Sequence, residues 1–218
     1  VSVAPGTTSG ILFVISAPSG TGKSTLARRL LEREPRLEFS VSYTTRPQRD
    51  GEVDGKDYHF VDAARFEAMV REGAFLEWAS VFGQRYGTGL AATHEALARG
   101  RQLLLDIDVE GARQVRASGV PSISIMVFPP DFGTLERRLR SRGSESAEET
   151  GRRLARARRE AEDYRSFDYV VVNDDVAEAV DALQSIVRAE RCRAGRGPEI
   201  AERILATFPA DVEGAKES

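Results

Sequence analysis

Apolar residues in this chain fall into short unbroken runs separated by longer amphipathic stretches. Ile11-Leu12-Phe13-Val14-Ile15, Leu103-Leu104-Leu105, Ile123-Ser124-Ile125-Met126-Val127-Phe128 and Tyr169-Val170-Val171-Val172 lack the alternation of a half-exposed strand. They predict strands covered on both faces. Helical patterns lie between them. Residues 24 to 34 carry Leu26, Leu30 and Leu31 among charged residues and stop at Pro35. Residues 91 to 99 and 110 to 118 end at Gly100 and Gly119, the residue type favoured just past a helix C-terminus. Leu135 and Leu139 mark a helix over 131 to 142, and Val176, Ala179, Val180, Leu183 and Val187 mark another over 176 to 192. Strand alternating with helix gives an α/β class with a parallel sheet and right-handed crossovers.

Two stretches break the rhythm. Residues 40 to 90 hold shorter strand-like pieces (58 to 61 and 75 to 81), a helix starting at Asp62, and many Gly and Tyr residues. They read as a small inserted lobe of mixed structure, with Phe75 and Trp78 in its core. Residues 141 to 150 are polar, contain Gly and Ser, and lie between two arginine-rich helices, which suggests a mobile flap. Beyond Arg193 a short helix fits 200 to 208, and the last ten residues read as disordered.

The 218 residues suit one compact domain with inserted lobes, and 41% hydrophobic residues are enough for a core. Charged residues make up 30% but nearly cancel, to a formal charge of -3, which argues against nucleic acid as a partner. Cys192 is the only cysteine, so a reducing compartment fits. Apolar runs are too short to span a bilayer, and residues 1 to 10 have neither the basic residue nor the apolar core of a signal peptide. A cytoplasmic location without membrane partners is the expectation.

The strongest local signal is Ala17-Pro18-Ser19-Gly20-Thr21-Gly22-Lys23-Ser24-Thr25, after an apolar strand and before a helix. Main-chain N–H groups of such a loop wrap phosphates at the positive end of the helix. Gly20 and Gly22 allow the close approach. Lys23 reaches β and γ phosphates, and the Ser24 hydroxyl can ligate magnesium. The strict pattern has Gly at position 17, where this chain has Ala; alanine fits if φ there is negative. Further on, Arg46 and Arg49 flank Pro47 and could hold a phosphate monoester bidentately, with Tyr58 as a further donor. Asp106 and Asp108 follow an apolar strand, at the carboxyl edge where open α/β sheets bind ligands. Solvated arginines and capping aspartates are the plain alternatives.

From about 11 to 191 the chain resembles the guanylate kinase family. The matching stretches are 16–25, 42–52 (Ser-Tyr-Thr-Thr-Arg-Pro-Gln-Arg-Asp-Gly-Glu), 55–58, 75–79 (Phe-Leu-Glu-Trp-Ala), 86–88 (Tyr-Gly-Thr), 105–108 (Leu-Asp-Ile-Asp), 142–143 (Arg-Gly) and 173–175 (Asn-Asp-Asp), in the family's order and spacing. The resemblance implies ATP-dependent phosphorylation of GMP, and of dGMP, with Mg2+. It implies that Arg46, Arg49, Tyr58 and Tyr86 hold the GMP phosphate and that Ser42, Glu77, Thr88 and Asp108 meet the guanine. Guanine presents donors at N1 and N2, which carboxylates complement; adenine's N1 acceptor would be repelled. Asp106 is the candidate for orienting magnesium or its waters.

The same resemblance divides the chain into a core (11–39, 91–137 and 154–193), a GMP-binding lobe (40–90), a lid (138–153) and a tail (194–218). Arg138, Arg142 and Arg153 would close over the ATP phosphates, and Asn173 would touch the adenine side. Arg137, Arg140, Arg152, Arg156, Arg158 and Arg159 have no such match; a solvated helix face paired with Glu148, Glu149 and Glu160 explains them. No general base is needed, because a phosphate monoester is largely a dianion at pH 7. Nothing in the sequence decides between a monomer and a homo-oligomer.

Overall fold

The computed structural model describes residues 10–81, 83–140, 147–196 and 198–208. Among these residues the strands form two sheets. The larger is fully parallel and is built from β1 (Ile11–Ser16), β2 (Leu37–Phe39), β7 (Gln102–Asp106), β8 (Ile123–Phe128) and β9 (Tyr169–Val172), in the spatial order β2-β7-β1-β8-β9. β1 sits at the centre with every residue buried. Its alternate side chains feed two cores. Ile11, Phe13 and Ile15 pack with α1 (Lys23–Arg33) and α7 (Val176–Arg191). Leu12 and Val14 pack with α3 (Leu90–Ala98) and α4 (Val109–Ala117). Two covered faces remove any reason for polar alternation, so the run reads as continuously apolar.

The smaller sheet is mixed. β3 (Tyr43–Thr44), β4 (His59–Phe60), β5 (Phe75–Val81) and β6 (Gln84–Gly89) lie in the order β4-β3-β6-β5, with α2 (Ala63–Arg71) against them. Asp62 caps α2 from outside the helix, its side chain accepting from the Arg65 N–H at 2.7 Å. Phe66 is fully buried and stacks on Phe75 at 4.5 Å between ring centroids. Trp78, expected in this core, is instead 38% exposed and touches Phe66 only edge-on. The alternation along β5 turns it outward, opposite to Glu77.

Other departures follow from position in the sheet. β9 is an edge strand covered on one face by α7, which leaves Val170 and Val172 about half exposed at 49% and 52%. Its four apolar residues therefore misstate its surroundings. The short strands β2 and β3, and the polar, glycine-containing β6, carry too little periodicity to stand out in the sequence. Residues 147 to 150 of the expected flap form the first turn of α6 (Ala147–Glu162), which packs on α5 (Phe132–Arg140) through Leu135, Leu139, Leu154 and Ala157. The rest of that flap lies outside the described residues. No described helix is long and apolar enough to cross a membrane.

After α7 a 3₁₀ turn (Ala194–Arg196) closes against the buried Glu190, which pairs with Arg193 at 2.8 Å and Arg196 at 3.7 Å and accepts from the Tyr169 hydroxyl at 2.5 Å. Beyond it α8 (Pro198–Leu205) exposes Ile204 and Leu205, as does Phe208 after it. A chain ending at Arg196 keeps the Glu190 network and loses no buried side chain of the described residues. It is expected to match the full chain in thermal midpoint and turnover; a truncated protein that is folded but inactive would show that the tail completes the site or an assembly it needs.

Candidate active site

The loop between β1 and α1 is shaped by two glycines with positive φ, Gly20 at 94° and Gly22 at 93°. Each also sits in a tight space: a Cβ would lie 2.7 Å from the Leu139 side chain at Gly20 and 2.8 Å from Asn173 Nδ2 at Gly22. Gly22 is the N-cap of α1 and offers no side-chain acceptor, and the first turn holds no acidic residue. The helix therefore begins with main-chain N–H groups facing outward, a ready anion site. Ala17 is buried beneath the loop. Thr21 tightens the loop by donating through its hydroxyl to the Pro18 carbonyl at 2.6 Å.

Two side chains brace this loop from behind. Asn173, following β9, donates through Nδ2 to the Thr21 carbonyl at 2.7 Å and is 3% exposed. Arg138, on α5, donates to the Thr21 carbonyl and to the Asn173 carbonyl, each at 3.2 Å. The structure thus sets both residues, read from the sequence as adenine and lid contacts, against the backbone of the phosphate loop. Arg153 reaches the loop from α6, donating to the Ser19 Oγ at 2.9 Å. Arg142 lies outside the described residues.

Lys23 opens α1 and turns to the carboxyl edge of the sheet. Parallel pairing sets Ile15 beside Asp106, and the Lys23 ammonium meets the Asp106 carboxylate and donates to the Ile107 carbonyl at 2.6 Å. Ser24 and Thr25 are exposed on a cavity of about 650 Å³. The loop residues Ala17, Pro18, Ser19, Gly20, Thr21, Gly22 and Lys23 line that cavity too, together with Ser80 and Val81 at the tip of β5 and Asp108, Arg153, Arg156 and Glu160.

The smaller sheet brings a second cationic group to the same side. Arg46 follows β3 and is held by Glu52 at 2.6 Å and by the Pro47 carbonyl at 2.7 Å. Its guanidinium lies over the rings of Tyr58 and Phe60, at 5.4 and 5.7 Å. The Glu52 hydrogen bond, then its charge and Tyr86, hold the Arg46 pKa up, so this arginine stays cationic. Tyr58 and Tyr86 meet edge to face at 5.9 Å. Burial and then the neighbouring Tyr86 push the Tyr58 phenol up, which keeps it a neutral hydroxyl donor. Arg49 is exposed, and its main-chain N–H donates to Glu52 at 2.8 Å. Ser42 is half-buried before β3, its carbonyl accepting from the His59 N–H.

Glu77 and Asp108 close the group. Glu77 is on β5, 5% exposed, and its partner Thr88 on β6 donates a hydroxyl to it at 2.6 Å. Burial raises the Glu77 pKa above the usual carboxylate value; the Thr88 hydrogen bond offsets part of this, and the charge of Asp108 adds to it. The carboxylate lies against Gly111, where a Cβ would stand 2.9 Å from Oε2. Asp108 caps α4, accepting from the Gly111 N–H at 2.8 Å, and its other oxygen is 3.3 Å from Arg156. Two carboxylates thus lie close together, Asp108 on the cavity wall, which suits a ligand rich in N–H donors.

Some of these contacts had no counterpart in the sequence reading. Glu52 belongs to the matched 42–52 stretch but had no role; it fixes Arg46 and the Arg49 backbone together. Arg156 read as one of several solvated arginines. Its three-residue spacing from Arg153 was the available signal, since such residues share a helix face.

Known proteins are similar to this chain in sequence and fold. The family model described as guanylate kinase matches residues 9–190. The guanylate kinase of Syntrophotalea carbinolica is 51% identical over 196 residues, covering 90% of this chain and 93% of its own. That of Bradyrhizobium diazoefficiens is 50% identical over 188 residues, with 86% of each chain covered. Among solved structures, the guanylate kinase from Anaplasma phagocytophilum aligns with a TM-score of 0.71 at 34% identity, over 94% of this chain and 98% of that one. A likeness of this extent, joined to a phosphate loop that lines the cavity at the sheet's carboxyl edge, leaves one assignment: the chain belongs to the guanylate kinase family.

Proposed function

We propose that the chain transfers the γ-phosphoryl group of ATP to GMP, with the donor on the phosphate loop and the acceptor against the smaller sheet. It is a phosphotransferase, as its family membership and its phosphate loop both indicate. The observation that supports the acceptor most strongly is Glu77, a buried carboxylate whose raised pKa marks incomplete compensation of its charge. Guanine N1–H and N2–H would supply the missing donors, and Asp108 would take a further N2 contact. Thr88 and Ser42 complete the rim. Arg46, Arg49, Tyr58 and Tyr86 would hold the acceptor phosphate. These roles concern base and phosphate and none concerns the ribose 2′-hydroxyl, so dGMP is included as an acceptor.

Transfer places negative charge on the equatorial phosphoryl oxygens, and pre-positioned cations stabilise it. Lys23 would approach from the start of α1, Arg46 from the turn after β3, Arg138 and Arg153 from α5 and α6, and Arg142 is included by resemblance alone. Main-chain N–H groups of 17–25 orient the donor phosphates, with Asn173 and Arg138 fixing the loop. The acceptor phosphate, mostly a dianion at pH 7, attacks without a general base. No group of three or more metal-ligating side chains occurs among the described residues. Mg2+ is commonly held by one or two protein oxygens together with substrate phosphates and water; the Ser24 hydroxyl on the cavity and the Asp106 carboxylate at the sheet edge would supply those oxygens, and the ion would neutralise charge on the phosphates. The division into core (11–39, 91–137, 154–193), GMP-binding lobe (40–90) and lid (138–153) follows from the same reading.

Lys23→Ala is expected to lower kcat by about 10²- to 10³-fold, the usual cost of one pre-organised transition-state donor. Thermal melting run alongside checks that the loss of Asp106's partner has not unfolded the domain. Near-normal kcat in a folded variant would remove Lys23 from the transfer.

Glu77→Gln keeps the size and exchanges one acceptor for a donor. With charge-assisted hydrogen bonds contributing about 1.5–3 kcal/mol each, kcat/KM for GMP should fall at least about tenfold, while that for AMP falls little or not at all. Equal losses for both bases would mean that Glu77 supports the sheet and does not read guanine.

The same variant gives a stability test. Because the folded-state pKa of Glu77 lies above its ordinary 4.5, the folded protein binds more protons than the unfolded one between those values. Stability is therefore lost as pH rises through that window. Glu77→Gln escapes this loss, so without nucleotides its Tm should exceed that of the unsubstituted protein above the window. The advantage should shrink as pH falls towards 4.5; an advantage independent of pH would contradict the burial argument.

A further inference from the structure

We propose that Arg156 is a positioning residue that couples the two nucleotide sites, an inference that rests on the acceptor reading of Asp108. α6 carries Arg153 and Arg156 three residues apart, on one helical face. Arg153 donates to Ser19 of the phosphate loop at 2.9 Å, and Arg156 donates to Asp108 at 3.3 Å. One rigid helix therefore touches the donor loop with one arginine and the acceptor rim with the next.

The orientation of Arg156 is set by a third residue. Its Nε donates to Glu160 at 2.6 Å, one turn further along α6, and the Glu160 side chain is only 12% exposed. This leaves the outer edge of the guanidinium fork directed at Asp108, at the wall of the cavity. Asp108 remains able to bind a base. A carboxylate offers about four acceptor directions, of which the Gly111 N–H and Arg156 use two, on different oxygens.

An i,i+4 ion pair within α6 would account for the contact with Glu160 alone. It would not account for the contact with Asp108, 48 residues away in the chain. The structural consequence is a linkage. A donor that holds α6 over the loop through Arg153 also presents Arg156 to Asp108, which stiffens the guanine rim. By reciprocity, an acceptor that orders Asp108 favours the α6 position that meets the donor.

The test is calorimetric titration of the full chain with GMP, with and without a non-hydrolysable ATP analogue and Mg2+. In the unsubstituted protein the analogue is expected to tighten GMP at least about fivefold, the lower end of usual couplings. Arg156→Ala should bring this factor to within about twofold of one, with GMP affinity in the absence of the analogue changed by less than about twofold. Arg156→Gln, which retains more of the side-chain packing, should do the same and guards against a folding defect in the alanine variant. An unchanged factor in both variants, or no factor in the unsubstituted protein, would overturn the proposal. So would a large loss of GMP affinity without the analogue, since Arg156 would then be a direct GMP contact. AMP titrated in parallel keeps the two readings apart: AMP binding as tightly as GMP contradicts the guanine role of Asp108, whereas the coupling factor reports on Arg156.

Discussion

The nucleotide site depends on the parallel register between β1 and β7. Pairing Ile11 with Gln102 and Ile15 with Asp106 brings both strands to an end at the same edge. From that edge β1 runs into the phosphate loop and β7 into Asp106-Ile107-Asp108. Lys23 can then bridge from the start of α1 to Asp106 and the Ile107 carbonyl, and Asp108 can begin α4 beside the cavity. A slip of one residue would turn the side chains of β7 to opposite faces, separating Leu104 from Phe13 and exchanging the two cores. The hydrophobic layers on either face of β1 thus hold the catalytic edge in place, and the loop glycines act on a frame already fixed.

Around that frame the charges are sorted by role. The cations assigned to the proposed phosphate path include several fixed by neighbours: Arg138 by two main-chain carbonyls, Arg46 by Glu52 and two aromatic rings. Fixing them before substrate arrives lowers the reorganisation needed in the transition state. The acceptor rim does the reverse. Glu77 is buried with Thr88 as its close partner and Asp108 nearby, an arrangement that would favour a ligand bringing N–H donors in the proposed site. Specificity for the base is in this reading a consequence of incomplete satisfaction, and α6 joins the two regions through adjacent arginines.

How far this was legible in the sequence varied with how local the physics is. The phosphate loop is written in consecutive residues, because the turn, the close approach and the cation all arise within one strand–loop–helix unit. The α/β class followed from runs whose burial on both faces suppresses alternation. β9 shows the limit of that inference: its run is as apolar as the others, yet strand order leaves Val170 and Val172 on an open face. Trp78 was misplaced because large apolar residues imply burial only on average, and the face it takes is set by Glu77 pointing inward. Asn173 and Arg138 were tied to the donor, but their bracing of the loop from behind depends on contacts 152 and 117 residues apart, which no local pattern encodes. Arg156 stood among arginines of equal composition and became distinct only through its distance to Asp108.

In the proposed site Glu77 is a buried carboxylate that awaits guanine donors. Carbon-13 titration of its side-chain carboxyl, without nucleotide and with saturating GMP, measures that directly. Without nucleotide the group should titrate above the ordinary carboxylate value, and GMP should move it downward, because N1–H and N2–H favour the ionised form. A carboxyl that titrates normally in the empty protein, or one that GMP leaves unmoved or drives higher, would contradict the account.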